Sequence, residues 1–270
     1  MTTDVSGHSN LADFLGDPKF PSKAMKSPRG LRIVYFQELY RLYSRLNLSF
    51  VEDRPYAIEG LENRLRAAYG TSGGFGIFDD GPGHGLFHRS LLWRRGNDEP
   101  QPGLVAIRFP TRRRGNGTAA ADAQEVPTWS WMAYRGGIDY LDPEFKETEW
   151  ERRDIRPPWT GGGVGSAPGD PVELFTTVRD YDPAAARSAG DSKLVFDGDR
   201  QASDASLSQC VVVAHAKEPR EVGNRRYYVL LVAMTGSTAD GDKVYKRVGA
   251  GYMLGKYIAL EKPGTSARIR

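Results

Sequence analysis

Apolar residues recur at helical spacing between Pro28 and Leu46, at Leu31, Val34 or Tyr35, Leu39, Leu42 and Leu46. Ser27 and Pro28 supply a cap and a first-turn proline, so the pattern predicts a helix over 30–46. A second stripe, Ala57, Ile58, Leu61, Leu65 and Ala68, follows Asp53 as a cap and Pro55 in the first turn, and predicts a helix over 54–69. The glycines from Gly70 to Gly76 end it. Leu86, Leu91 and Leu92 predict a third helix over 86–94.

Beyond residue 103 the period changes. Leu104 to Phe109, Thr128 to Ala133, Val172 to Val178, Leu194 to Phe196, Cys210 to His215, Tyr227 to Ala233, Val244 to Val248 and Tyr257 to Leu260 are runs of β-favouring residues. Gly, Pro, Asp and Asn clusters separate them. The fold class expected is α+β: an N-terminal three-helix cap followed by an antiparallel β-sandwich or open barrel. The corresponding divisions are a loosely ordered leader over 1–27, the cap over 28–103, the β domain over 104–262 and a tail over 263–270. In Trp129-Ser130-Trp131 an extended backbone would put both indoles on one face, as core anchors, and the serine on the other. Thr111 to Gln124, with Arg112-Arg113-Arg114, reads as a solvated loop.

Composition narrows the function. A formal net charge of +3 over 270 residues does not call for nucleic acid. One cysteine, Cys210, excludes an intrachain disulfide and a cysteine-based zinc site, and its apolar strand marks it as an inert core thiol. No apolar run approaches the ~18 residues that span a bilayer, and no hydrophobic leader is present, so a cytoplasmic location is expected.

Several short blocks follow one another in a set order. They are Tyr43-Ser44-Arg45, Leu48-Ser49-Phe50, Asp53-Arg54, Ala57-Ile58-Glu59-Gly60-Leu61, Gly76-Ile77-Phe78, Leu91-Leu92-Trp93, Pro127-Thr128-Trp129-Ser130-Trp131 and Tyr245-Lys246-Arg247-Val248-Gly249. The series, between residues 30 and 255, resembles the region that follows the effector domain in fungal heterokaryon-incompatibility proteins. The effector domain's own opening signature is missing. The resemblance therefore implies the rear part of a cell-death protein without the part that acts.

The candidate chemistry sits in Asp79 to His88, which has no counterpart in that family pattern. His84 and His88 are four residues apart beside Asp79 and Asp80. Two imidazoles and a carboxylate suit a metal, whereas one imidazole oriented by Asp80 suffices for acid–base work. Glycines and Pro82 around His84 favour the second arrangement, or a plain loop histidine. His88, His84 and Asp80 are the expected catalytic residues, with no metal and no cofactor. Trp129, Trp131, Phe78 and Tyr134 are the expected substrate-binding residues. Aromatic residues make up 11% of the chain, enough to line a pocket for a small apolar or aromatic metabolite. Two functions follow: a cofactor-free cyclase or isomerase of fungal secondary metabolism, or a non-catalytic recognition module with a protein partner. A deep pocket at the histidines favours the first and a flat apolar patch the second.

Overall fold

The structure is a computed structural model that describes residues 29–81, 84–98, 103–109, 126–159, 172–198 and 207–270. The leader over 1–27, the loop over 111–124 and the glycine run over 161–165 lie outside the described residues.

Helix α1 spans Arg29–Ser44 and α2 spans Arg54–Tyr69. In α1 the buried stripe is Ile33, Phe36, Leu39 and Tyr40, while Val34 and Leu46 are exposed. The expected stripe was thus rotated, because Phe36 and Tyr40 carry more area to bury than Val34. Asp53 makes no side-chain cap bond to α2. Gly70 closes α2 in the left-handed region, its N–H reaching Arg66 O.

Strands β1 (Ser72–Gly74) and β2 (Ile77–Asp79) then form a hairpin. Its two-residue turn, Phe75-Gly76, has φ of 56° and 76°. Positive φ at both positions matches the twist of paired strands. For Phe75 that conformation costs on the order of 1–2 kcal/mol.

Helix α3 is only Leu86–Leu91, with all six residues buried. It stops before 94 because Trp93 already belongs to β3 (Trp93–Arg95), which pairs with β6 (Ile138–Tyr140). A second ribbon joins β4 (Val105–Ala106) to β5 (Tyr134–Arg135). Two long helices, one short buried helix and these ribbons therefore replace the expected all-helical cap.

The main sheet contains β7 (Thr148–Trp150), β8 (Ile155–Arg156), β9 (Leu174–Asp180), β10 (Lys193–Phe196), β11 (Gln209–Ala216), β12 (Arg226–Ser237), β13 (Lys243–Leu254) and β14 (Thr265–Ile269). Strands β11, β12, β13, β14 and β9 pair in that order, and β9 pairs back onto β11. The protein is a mixed α+β fold built on a closed five-stranded ring, neither a sandwich nor an open barrel. Two features set the closure. The β13–β14 pairing is parallel, so the ring is not wholly antiparallel. Residues 265–269, expected as part of a tail, supply the stave between β13 and β9. The remaining strands β7, β8 and β10 attach to β11, β9 and β13.

Alternation along β12 sends Tyr228, Leu230 and Val232 into the cluster shared with α1, α2 and α3. Tyr227, Val229 and Leu231 enter a second cluster with Ala186 of α4 (Pro183–Ser188). The first cluster is continuous from the helices into the ring. Cys210 lies fully buried in the second, and burial pushes its thiol up to about 12.

Trp129-Ser130-Trp131 does not form a strand. Ser130 N–H bonds to Pro127 O, and Trp131–Ala133 is a 3-10 turn. Ser130 Oγ caps that turn by accepting Met132 N–H at 3.1 Å and donates to Phe75 O at 2.7 Å. A capping serine favours this turn over an extended run. Both indoles are nevertheless fully buried.

Arg247 of β13 links ring and helical layer. Its guanidinium lies over the Trp93 ring, donates to Trp93 O at 2.5 Å and stands 3.4 Å from Asp197 Oδ2, with both side chains almost wholly buried. Burial pushes the Asp197 carboxyl up and the Arg247 guanidinium down, each opposed by its partner's charge.

Candidate functional site

The expected catalytic residues line neither of the two cavities described below. Asp80 Oδ1 accepts the Leu86 N–H at 3.2 Å, at the entry to α3. His84 is exposed, with Nδ1 2.8 Å from Asp80 O. His88 is buried: Nε2 lies 2.6 Å from Glu151 O, and the ring stacks on Trp150. That carbonyl fixes Nε2 as the protonated nitrogen. No group of three or more metal-ligating side chains occurs among the described residues. Gly85, at φ 79°, separates exposed His84 from the buried helix α3 that carries His88.

Burial lowers the His88 pKa from 6.5 to about 4. The unfolded imidazole therefore takes up a proton that the folded one refuses between those values. The associated stability is complete above pH 6.5 and is lost as pH falls to about 4, a loss on the order of 3 kcal/mol. Urea unfolding of wild type and His88→Gln at pH 7 and pH 4.5 checks this. The variant should lose less stability than wild type, and equal losses would remove His88 from the account.

The expected substrate-binding aromatics are core residues. Phe78 packs edge-on against Phe36 and stacks on Tyr40. Trp129 Nε1 donates to Val172 O at 3.2 Å. Tyr134 is buried, with its hydroxyl 3.5 Å from Arg247 O. Trp131 packs on Tyr40 and Tyr43, and its indole N–H has no partner among the described residues.

A cavity of about 680 Å³ lies instead between α2 and the β1–β2 hairpin. Tyr56, Glu59, Glu62, Asn63 and Arg66 line it from α2, the three- and four-residue steps that share a helix face. Ser72 to Phe75 form the opposite wall, and Met132 and Trp159 add apolar surface. Its volume suits a small organic ligand. A smaller cavity of about 230 Å³ lies beside Thr128, Tyr245 and Arg270.

Glu62 is the principal polar group of the larger cavity. It is 7% exposed, and Oε1 accepts the Gly76 N–H at 2.8 Å. Oε2 takes no protein hydrogen bond among the described residues. Burial raises the carboxyl pKa; the Gly76 bond and Arg66 oppose the shift, and Glu59 adds to it. Arg66 donates its hydrogen bonds elsewhere, to Gly73 O at 2.7 Å and to Asn63 Oδ1, and acts on Glu62 through its charge alone.

Gly76 holds this geometry. Its φ is +76°, and a Cβ there would stand 2.3 Å from Trp131 Nε1. Only glycine lets the hairpin turn sit on the indole while its N–H faces Glu62.

Sequence reading placed Glu62 inside α2 without assigning it a role. A glutamate on a helix is ordinarily solvated, and only the tertiary approach of the hairpin buries this one. Compared with known protein families, curated proteins and solved structures, the chain matches none.

Proposed function

We propose that this chain is a small-molecule protein that holds an aromatic or apolar metabolite in the α2–hairpin cavity. It isomerises or cyclises that metabolite without an added redox cofactor, with Glu62 as the acid–base group in place of His88. The observation that carries the reading is a buried carboxyl, lining the cavity, with one oxygen uncommitted. A carboxyl displaced upward by burial gives and takes protons closer to neutral pH than a solvated one. The block order resembling fungal heterokaryon-incompatibility proteins supports a fungal origin, and with it a role in secondary metabolism. The second reading, a non-catalytic recognition module, draws on exposed Leu46 and Phe50 in the connection between α1 and α2.

Gly74→Trp tests the first reading. Gly74 lines the cavity, its φ is ordinary, and an added Cβ meets no atom within 4 Å. The new indole should fill the cavity without straining the hairpin. Binding of 2-phenylethanol, followed by NMR titration, should weaken at least about tenfold while thermal stability is kept. Unchanged binding by the variant would move the site elsewhere.

A further inference from the structure

We propose that the α2 cavity selects ligands carrying a protonated amine on an aromatic body, with the ammonium seated on Glu62. The inference rests on the reading of this cavity as the binding site and names the chemistry it accepts.

Glu62 is more than nine-tenths buried, and Oε1 is fixed by the Gly76 N–H. Among the described residues its one hydrogen bond uses Oε1, so Oε2 is open to a ligand donor. The natural internal partner would be Arg66, one helical turn on. That guanidinium instead bonds Gly73 O of the hairpin and Asn63 of its own helix. Glu59, a turn earlier on the same face, adds a second negative charge at the mouth and pushes the Glu62 pKa further up. Two carboxylates and one committed guanidinium leave the lining short of one positive charge.

The ligand that fits is a cation with donors. A neutral ligand would displace water from the carboxylate without replacing its charge-assisted bond, and an anionic one would meet Glu59 and Glu62 directly. An ammonium group supplies three N–H donors and the missing charge. The aromatic side chains of Tyr56, Phe75 and Trp159 line the same space. They add cation–π attraction and stack on an aromatic body.

The test compares 2-phenylethylamine, an ammonium at neutral pH, with its neutral isostere 2-phenylethanol, by calorimetric titration. Wild type should bind the amine at least about tenfold more tightly, as a charge-assisted hydrogen bond predicts. Glu62→Gln keeps an acceptor for Gly76 and removes the charge, so its two affinities should converge. Equal affinities in wild type, or a preference that survives in Glu62→Gln, overturn the inference while the cavity reading stands. Failure of both probes to bind wild type overturns the cavity reading and the inference together. Should Glu62→Gln not fold, the wild-type comparison decides alone.

Discussion

An Arg247→Ala chain should be less stable than wild type by about 3–5 kcal/mol, among the largest effects expected of any single substitution here. The guanidinium is fully buried between Trp93 and Asp197 and donates to the Leu91 and Trp93 carbonyls. Alanine removes the counter-ion of a carboxylate that has no access to water, opens a void beside an indole and leaves two carbonyls short of a donor. The Coulombic gain of the intact pair is not the source of the loss, because desolvation of both ions offsets it. The penalty comes from stranding Asp197. Adding Asp197→Leu to Arg247→Met should therefore restore much of what Arg247→Ala removes. Urea unfolding at neutral pH measures both. An Arg247→Ala midpoint equal to that of wild type would mean that Asp197 is already protonated and that Arg247 is not its partner.

Trp131→Ala should cost about 3–5 kcal/mol as well, by a different route. The ring is fully buried, with Tyr40 at 5.1 Å and Tyr43 at 6.0 Å between centroids and the Arg54 guanidinium 5.8 Å from its own. Its N–H has no partner among the described residues, so the cost is apolar contact plus the cavity left behind. The same ring supports Gly76, whose N–H fixes Glu62. The substitution should thus lower the melting temperature by about 10 °C and also weaken 2-phenylethanol binding. Trp131→Phe, which fills most of the volume, should lose far less on both measures. An unchanged melting temperature in Trp131→Ala would remove the ring from the core.

The elements whose apolar pattern is long were legible in the sequence. Helix α2 begins beside Pro55 and ends at Gly70, as its proline and glycine signals indicate. Strands β11, β12 and β13 lie where β-favouring runs occur. What escaped were features decided by contacts distant in sequence. Trp129 to Trp131 alternates like a strand, yet Ser130 finds Met132 N–H and Phe75 O and turns the chain instead. Residues 265–269 carry only Ala267 and Ile269 as apolar positions, too few to signal the stave they become between β13 and β9. The surroundings of the candidate site residues were illegible for the same reason. The imidazole of His88 signals chemistry in the sequence, but Phe87, Trp150 and Glu151 O enclose it. Glu62 carries no such signal, because its burial depends on a hairpin fourteen residues further on.

The ring closure has a consequence for how the protein comes apart. An open sheet can lose an edge strand and expose one row of unpaired backbone groups. In a closed ring, removal of any stave exposes two rows at once, each of amides and carbonyls that need partners. Fraying is therefore confined to the two- to four-residue strands β7, β8 and β10, which hang outside the circuit. The five staves melt as one cooperative unit, and because the Arg247–Asp197 pair bolts Trp93 to that unit, the layer beneath α1 shares its fate.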